Sequence, residues 1–341
     1  MNKAQKDFQR LLSHKVNEDI PLPRFTKKIS RKLLNRIKYI QLYAHSYAFF
    51  LHFEHTDYNV TDFLNFAHQN GLSGIDISID DGKVKPLKSM NLSELQEVKE
   101  QAKKLNLKIV LEISSTIKSE IQKVVKIAKI LDVQYIRVYN NYSGYLSDCI
   151  QKCIKDLKYA CELAEKYQLY FSIESHEVIK SDELIRIVSE VGSPRLGVLF
   201  DFGNMINANE KPLEALKTMS PYIWHTHIKD VRVISEKHGY GHQGVTDGRG
   251  DLPQLRMLYD LLMLGDKNPQ VKIFSLEQVN GYYALPYRFK GEGKNPKIPK
   301  RKPSYTREDR KLSRDQNLLI EKENAIHQIK YIKRLLNQLL R

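Results

Sequence analysis

Four stretches decide the architecture: AHQNGLSGIDIS (Ala67–Ser78), AKKLNLKIVLEIS (Ala102–Ser114), AKILDVQYIRVYN (Ala128–Asn140) and AEKYQLYFSIE (Ala164–Glu174). Each closes an amphipathic helix on a small residue, passes a short polar turn and enters an apolar run. A small residue in the last turn lets a helix lie close on a sheet, and the near-continuous β-branched and aromatic runs suit strands covered on both faces. The repeating unit is therefore βαβ. Working outward, strands are expected at Tyr39–His45, Leu72–Ser78, Leu107–Ser114, Gln134–Asn140, Tyr170–Glu174, Leu196–Asp201, Ile223–Ile228 and Val271–Glu277. Eight parallel strands close an α/β (β/α)8 TIM barrel. An open doubly wound sheet is the alternative, but no GxGxxG follows the first strand, and an open sheet brings fewer strand ends to one place.

Two helix starts carry capping signals: Ser93 with Gln96 three residues on, and Ser181–Glu183. The interval from His227 to Glu277 is long. It leaves IKDVRVISEKHGYGHQGVTDGRGDLP (Ile228–Pro253) as a loop ahead of a helix over Gln254–Leu264, and loops of that length carry function or move.

At 341 residues the chain exceeds the ~250 typical of such a barrel, leaving room for extensions. The net charge of +15 is unevenly spread: residues 1–38 hold 11 Lys/Arg against 3 Asp/Glu, and residues 288–341 hold 16 against 6. The core, residues 39–287, is left at −3. A nucleic-acid enzyme places Lys and Arg around its active mouth, so this distribution argues against nucleic acid as a partner. Charge runs of this kind ordinarily mark solvated faces. Residues 1–38 read as a basic N-terminal extension, 39–287 as the catalytic barrel, and 288–341 as a basic connector with a closing helix.

That closing helix is expected over Asp315–Arg341, where Leu318, Leu319, Ala325, Ile326, Ile329, Ile332, Leu335, Leu336 and Leu339 recur at helical spacing, after an irregular Pro/Lys-rich connector at Lys294–Ser304. No apolar run approaches the ~20 residues that span a bilayer. The start, MNKAQKDFQR, is polar and basic. A cytoplasmic protein with no membrane partner is expected. Cys149, Cys153 and Cys161 share one helical segment without metal-binding spacing, as reduced, buried thiols do.

The chemistry lies at strand ends. FSIE ends at Glu174, GVLFD at Asp201, WHTH at His227 and FSLE at Glu277, and the C-terminal ends of barrel strands meet at one mouth. A lone strand-end acid is ordinarily solvated or salt-bridged. Four ligand-type residues on consecutive strands make a different case. Three carboxylates and an imidazole suit one divalent ion, Mn, Mg, Co or Zn, and leave positions for two substrate oxygens. Four further residues are candidates for substrate contact. His176 lies two residues after Glu174 and so shares its strand face. His45 ends the first strand, and Asn204 and Lys229 stand just past strand ends. His225 sits one layer below His227, and each lone His is more often a packing residue than a catalyst.

The set IESHE (Ile173–Glu177), GVLFDFGN (Gly197–Asn204), HTHIKD (His225–Asp230), GRGDLP (Gly248–Pro253) and SLEQ (Ser275–Gln278) resembles the xylose isomerase-like TIM barrels. This superfamily holds sugar and sugar-phosphate isomerases and epimerases together with endonuclease IV-type enzymes. The resemblance covers roughly residues 39–287. It implies Glu174, Asp201, His227 and Glu277 as metal ligands, with Glu174 and Glu277 doubling as acid and base on opposite faces of the substrate. Asn204 stands where the endonuclease branch has a ligating His, which weighs against DNA repair. Lys180 stands where free-sugar epimerases carry an acid.

The implied reaction is isomerisation or epimerisation of a sugar-like polyhydroxy ketone or sugar phosphate through an enediolate. Dehydration of a keto-polyol is the alternative on the same scaffold, and a catalytically inactive binding barrel is a third reading. A carbohydrate is the expected small-molecule partner, and homo-oligomerisation is left open.

Overall fold

The computed structural model describes residues 21–300, 304–305, 309 and 311–341. Residues 1–20 of the basic N-terminal extension and residues 301–303 of the expected connector lie outside that set. Eight parallel strands form a closed barrel: β1 (Leu42–His45), β2 (Gly74–Ser78), β3 (Lys108–Glu112), β4 (Tyr135–Tyr139), β5 (Tyr170–Glu174), β6 (Leu196–Asp201), β7 (Ile223–Ile228) and β8 (Ile273–Leu276). Closure is made by β1 against β8, with Leu42 opposite Phe274 and Ala44 opposite Leu276. All eight expected strands are present, β5–β7 with the expected bounds and the others shorter by a few residues.

The helices follow in chain order: α1 (Lys27–Lys38), α2 (Phe50–His55), α3 (Val60–Gln69), α4 (Leu92–Lys104), α5 (Lys118–Leu131), α6 (Leu146–Tyr167), α7 (Ser181–Val191), α8 (Pro212–Met219), α9 (Gln254–Met263) and α10 (Arg314–Gln338). At α4 the capping box is built by Asn91 and Glu94 instead of Ser93 and Gln96, because Asn91 sits two residues earlier with the required extended backbone. Ser181 is already inside α7, and its hydroxyl donates to Glu210 at 2.6 Å. The three cysteines are free and buried on α6. Among the described residues no helix is long and apolar enough to cross a membrane.

Alternation along the strands sorts side chains into two environments. Ile75 and Ile77 of β2 join the apolar layer between barrel and helices, whereas Asp76 between them faces the axis and meets His225 and Ser275. The barrel floor is apolar, with Tyr43, Val110 and Ile273 clustered against Tyr135. Gly74 makes room for this plug: a Cβ there would lie 2.6 Å from the Tyr43 ring. Above the floor the interior turns polar, and the polar residues climb toward the C-terminal mouth.

The stretch after β7 is not a loop. Asp230–Glu236 and Gly239–Val245 form an antiparallel hairpin that pairs onward with Tyr282–Ala284 and Ser304–Tyr305. The Val231/Val233 alternation inside VRVIS is the strand signal that the loop reading passes over. The glycine-rich turn that follows is organised by Asp230, whose carboxylate accepts backbone N–H groups from Gly248 and Gly250, both at 2.8 Å. Only glycine fits at 250, where a Cβ would stand 2.1 Å from Asp230 Oδ1.

Helix α10 packs on β8, on α2 and on the turn Ser46–Phe49, and buries Ala325, Ile329, Ile332, Leu335 and Leu336. Its Glu321 accepts from the backbone N–H groups of Leu51 (2.8 Å) and His52 (3.1 Å), which ties the helix to the wall beside β1. Leu319 differs from the expected stripe: it is 57% exposed, on the opposite side of α10 from the buried Asn317 and Glu321. Within the expected connector, Lys297–Ile298 pairs with Gly144–Tyr145.

Candidate metal centre at the barrel mouth

Strands β5, β6 and β7 deliver Glu174, Asp201 and His227 from their C-terminal ends, and Glu277 follows β8 by one residue. The four converge. His227 Nδ1 lies 3.4 Å from Glu277 Oε2, 3.7 Å from Glu174 Oε1 and 4.0 Å from Asp201 Oδ2. All four are buried. Glu174, Asp201 and His227 each offer a ligand atom within 4.8 Å of the others. Glu277 is held slightly apart by Lys229, whose ammonium sits 2.7 Å from Glu277 Oε2 and 2.9 Å from Asp201 Oδ2.

The turn after β6 explains the aim of Asp201. Its Oδ1 accepts the backbone N–H groups of Gly203 and Asn204, each at 2.8 Å, so Oδ2 is left to face the axis. Asn204 itself donates to Glu174 Oε1 at 2.9 Å. Of the residues expected to contact substrate, Asn204 and Lys229 thus bond first to the proposed ligands. His45 and His176 line the mouth, and His176 stacks beside Tyr139 at 4.2 Å between ring centroids. His225 lies beneath, 2.9 Å from Asp76 Oδ2 and from Ser275 Oγ.

Three residues that sequence reasoning passed over complete the site. Asp76, Glu112 and Arg137 face the axis from β2, β3 and β4. Arg137 bridges two acids, with one guanidinium nitrogen 3.3 Å from Glu112 Oε2 and the other against Glu174 Oε2. Its plane lies over the Tyr139 ring at 4.8 Å. The signals were in the sequence. LEIS ends β3 as FSIE ends β5, and an Asp or Arg in the middle of an apolar strand has to face something polar.

Charge governs this interior. Burial alone would lower the His227 imidazole, but the Glu277 and Glu112 carboxylates and contact with Asp76 overcome it and hold it well above the ordinary histidine range. Burial pushes Asp201 up to about 7, with Lys229 opposing and Glu277 and Glu174 reinforcing the rise. Glu277 goes the other way: Lys229 and His227 outweigh its burial and hold it well below the usual carboxylate range.

The donor set fits a divalent cation. Glu174 Oε1, Asp201 Oδ2 and Glu277 Oε2 converge on His227 Nδ1, and the cations that meet these carboxylates are Lys229 and, at the other Glu174 oxygen, Arg137. Three carboxylates with one imidazole gathered in this way are a ligand set for Mn, Mg, Co or Zn. Above them opens a cavity of about 340 Å³ lined by hydroxyls, amides, His45, His176 and the acids Asp80, Asp81, Glu112 and Glu277. Asp81 accepts from Ser46 there, and burial pushes its carboxyl up to about 6.

Comparison with known proteins agrees with this architecture. The chain is 40% identical over 310 residues to the uncharacterised protein YihM of Escherichia coli K12, covering 91% of this chain and 95% of that one. It is 23% identical over 166 residues to a 3-oxo-isoapionate decarboxylase of Pectobacterium atrosepticum (48% of this chain, 60% of the relative). A 3-dehydroshikimate dehydratase of Bacillus anthracis is 20% identical over 222 residues (61% and 79%).

Among solved structures, a Mycobacterium smegmatis xylose isomerase-like TIM barrel protein in complex with magnesium superposes with a TM-score of 0.58 at 13% identity (89% and 99% covered). A D-psicose 3-epimerase with D-tagatose from Clostridium cellulolyticum H10 gives 0.55 at 15% identity (70% and 84%). Both likenesses are of fold. Residues 64–263 match the family model for the xylose isomerase-like TIM barrel, and with the closed eight-stranded barrel and the 40% relative this places the chain in that family.

Proposed function

We propose that this protein is a divalent-metal-dependent isomerase or epimerase of a sugar-like polyhydroxy ketone, with Glu174, Asp201, His227 and Glu277 holding the ion. The observation that carries this reading is the convergence of those four buried side chains beside a polar cavity that Glu277 lines. A divalent ion held there supplies polarisation of a substrate carbonyl. The chain's own residues do the rest. Glu277 lines the cavity and is kept ionised, so it is placed to take a proton from the carbon beside the carbonyl. Glu174 is covered by Arg137 and Asn204, and would serve as the second acid–base group from the far side of the ion.

An uncharged substrate fits better than a phosphate. Among the described residues lining the cavity, the permanently charged cations are Arg137 and Lys229, and each is already engaged by two carboxylates. The hydroxyl, amide and imidazole groups that remain match the hydroxyls of a monosaccharide.

Dehydration is the second reading, and Asp81 favours it. An acid pushed up to about 6 beside the mouth is placed to protonate a departing hydroxyl. The D-psicose 3-epimerase among the solved structures and the 3-dehydroshikimate dehydratase among the relatives stand on the two sides of this choice. A panel of ketoses and keto-polyols turned over in D2O separates them. Epimerisation returns a sugar with deuterium at the reacting carbon, whereas dehydration releases water and leaves an enone or deoxy product. Neither deuterium in the recovered sugar nor an enone or deoxy product, across the panel, would sink both.

Metal binding gives an independent check. The purified protein is expected to bind about one Mn, Mg, Co or Zn ion per chain in this ligand set. Affinity should weaken as pH falls, first as His227, held high, takes a proton and further as pH passes below about 7, where Asp201 does, because both must release protons to act as ligands. Titration with a chromophoric chelator at several pH values reads this directly. Binding that survives Asp201→Ala with His227→Ala removes the proposed site.

A further inference from the structure

Beside the proposed ligands, one carboxylate touches three donors at once. Glu112, at the end of β3, has Oε1 3.1 Å from His227 Nε2 and Oε2 3.2 Å from His45 Nε2 and 3.3 Å from Arg137. His45, Asp76, Glu112 and His227 cluster closely enough to suggest a second cation site. Proton placement argues otherwise. His45 Nδ1 accepts the backbone N–H of Tyr47 at 3.0 Å, so the proton of the neutral ring is on Nε2, facing Glu112. An imidazole nitrogen that carries a proton has no lone pair for a metal. The cluster is instead a set of donors gathered round an acceptor.

His227 faces carboxylates on both sides. Its Nδ1 faces Glu277, Glu174 and Asp201, whereas its Nε2 faces Glu112 at 3.1 Å, its shortest contact, and Asp76 at 3.5 Å. Asp76 is itself held by Ser275, which donates at 2.6 Å, and by His225 at 2.9 Å. A cation held among Glu277, Glu174 and Asp201 would take the place of the Nδ1 proton, while the Nε2 proton stays on Glu112. Through Arg137, Glu112 also reaches Glu174, whose Oε2 the guanidinium engages while Oε1 is left toward His227 and Asn204.

We propose that Glu112 is the positioning residue of the centre: it fixes His227 as the Nε2–H tautomer, so that Nδ1 is the metal ligand, and orients Glu174 through Arg137. This rests on the reading of His227 as a ligand. Glu112 need not touch substrate or ion to act. Asp76 supports the same ring from below, and His45 is carried on the other oxygen, so one side chain sets both the metal-facing and the substrate-facing histidine.

The test uses the full-length protein and Zn2+ or Mn2+ alone as probes. Glu112→Gln offers one oxygen and a donating amide where three donors converge, so Zn2+ affinity by chelator competition is expected to fall roughly 10–100-fold, as for other lost outer partners of a ligating histidine. With selectively 15N-labelled histidine, the Zn2+-loaded wild type should show His227 protonated at Nε2, and Glu112→Gln should lose or weaken that pattern. Glu112→Asp, which keeps the charge on a shorter arm, should recover part of the affinity and serves as the readout where Glu112→Gln fails to fold. Affinity within twofold of wild type in both variants, with the tautomer unchanged, overturns the proposal while leaving His227 a ligand if His227→Asn still abolishes binding. Should His227→Asn bind Zn2+ as the wild type does, the ligand reading itself fails and this inference falls with it.

Discussion

Glu277→Gln lowers turnover by roughly 10²–10⁴-fold on whichever ketose the protein accepts, with the fold intact by circular dichroism. The change is isosteric, but an amide neither takes a proton at neutral pH nor balances Lys229. That ammonium, 2.7 Å from Glu277 Oε2, would be left to Asp201 alone. Glu174→Gln is expected to cost as much by a different route. Its Oε1 already accepts from Asn204, and Oε2 is engaged by Arg137, so an amide must turn a donor toward one of two donors. Steady-state rates with metal saturated measure both. If either variant retains a tenth or more of wild-type turnover with the ion bound, that glutamate is not one of the two acid–base groups.

Leu336→Asp carries the largest expected effect on stability. Leu336 is 3% exposed on the face of α10 that packs on the barrel, and a carboxylate there must lose its water or drag the helix away. A loss of about 3–5 kcal/mol is the scale for charging a core position, enough to lower the melting temperature by roughly 4–7 °C in a chain of this size. Leu319→Asp supplies the internal contrast. It lies on the same helix at 57% exposure and should change stability by no more than ~0.5 kcal/mol. Thermal melts of the two variants settle the point. Unchanged melting for Leu335→Asp and Leu336→Asp, accompanied by dissociation of an oligomer, would make α10 an interface between copies and require another element to close the wall.

The cadence of Ala-terminated helices and apolar strands was enough to read the closed barrel, because the alternation of helix and buried strand is local and each βαβ unit announces itself. The hairpin after β7 was less legible. Its second strand, GYGHQGV, has three glycines and little apolar content, and it holds as a strand because Asp230–Glu236 and Tyr282–Ala284 flank it. Pairing supplied from elsewhere in the chain overrides weak local propensity.

The proposed centre divides along a similar line. Glu174, Asp201, His227 and Glu277 could be picked out in sequence because parallel strand ends share one mouth whatever the details of packing. Asp76, Glu112 and Arg137 needed the barrel itself. What makes an axial Asp or Arg tolerable is a partner on another strand, and the nearest ones, Ser275 for Asp76 and Glu174 for Arg137, lie 199 and 37 positions away. The barrel and the candidate ligand types thus follow from local pattern. How they are held follows from packing: Lys229 stands between Asp201 and Glu277, Arg137 covers Glu174, and His227 turns Nδ1 toward the carboxylates of the mouth. Burial sets the cost of each charge, and that cost is met by partners whose proximity no local stretch of chain encodes.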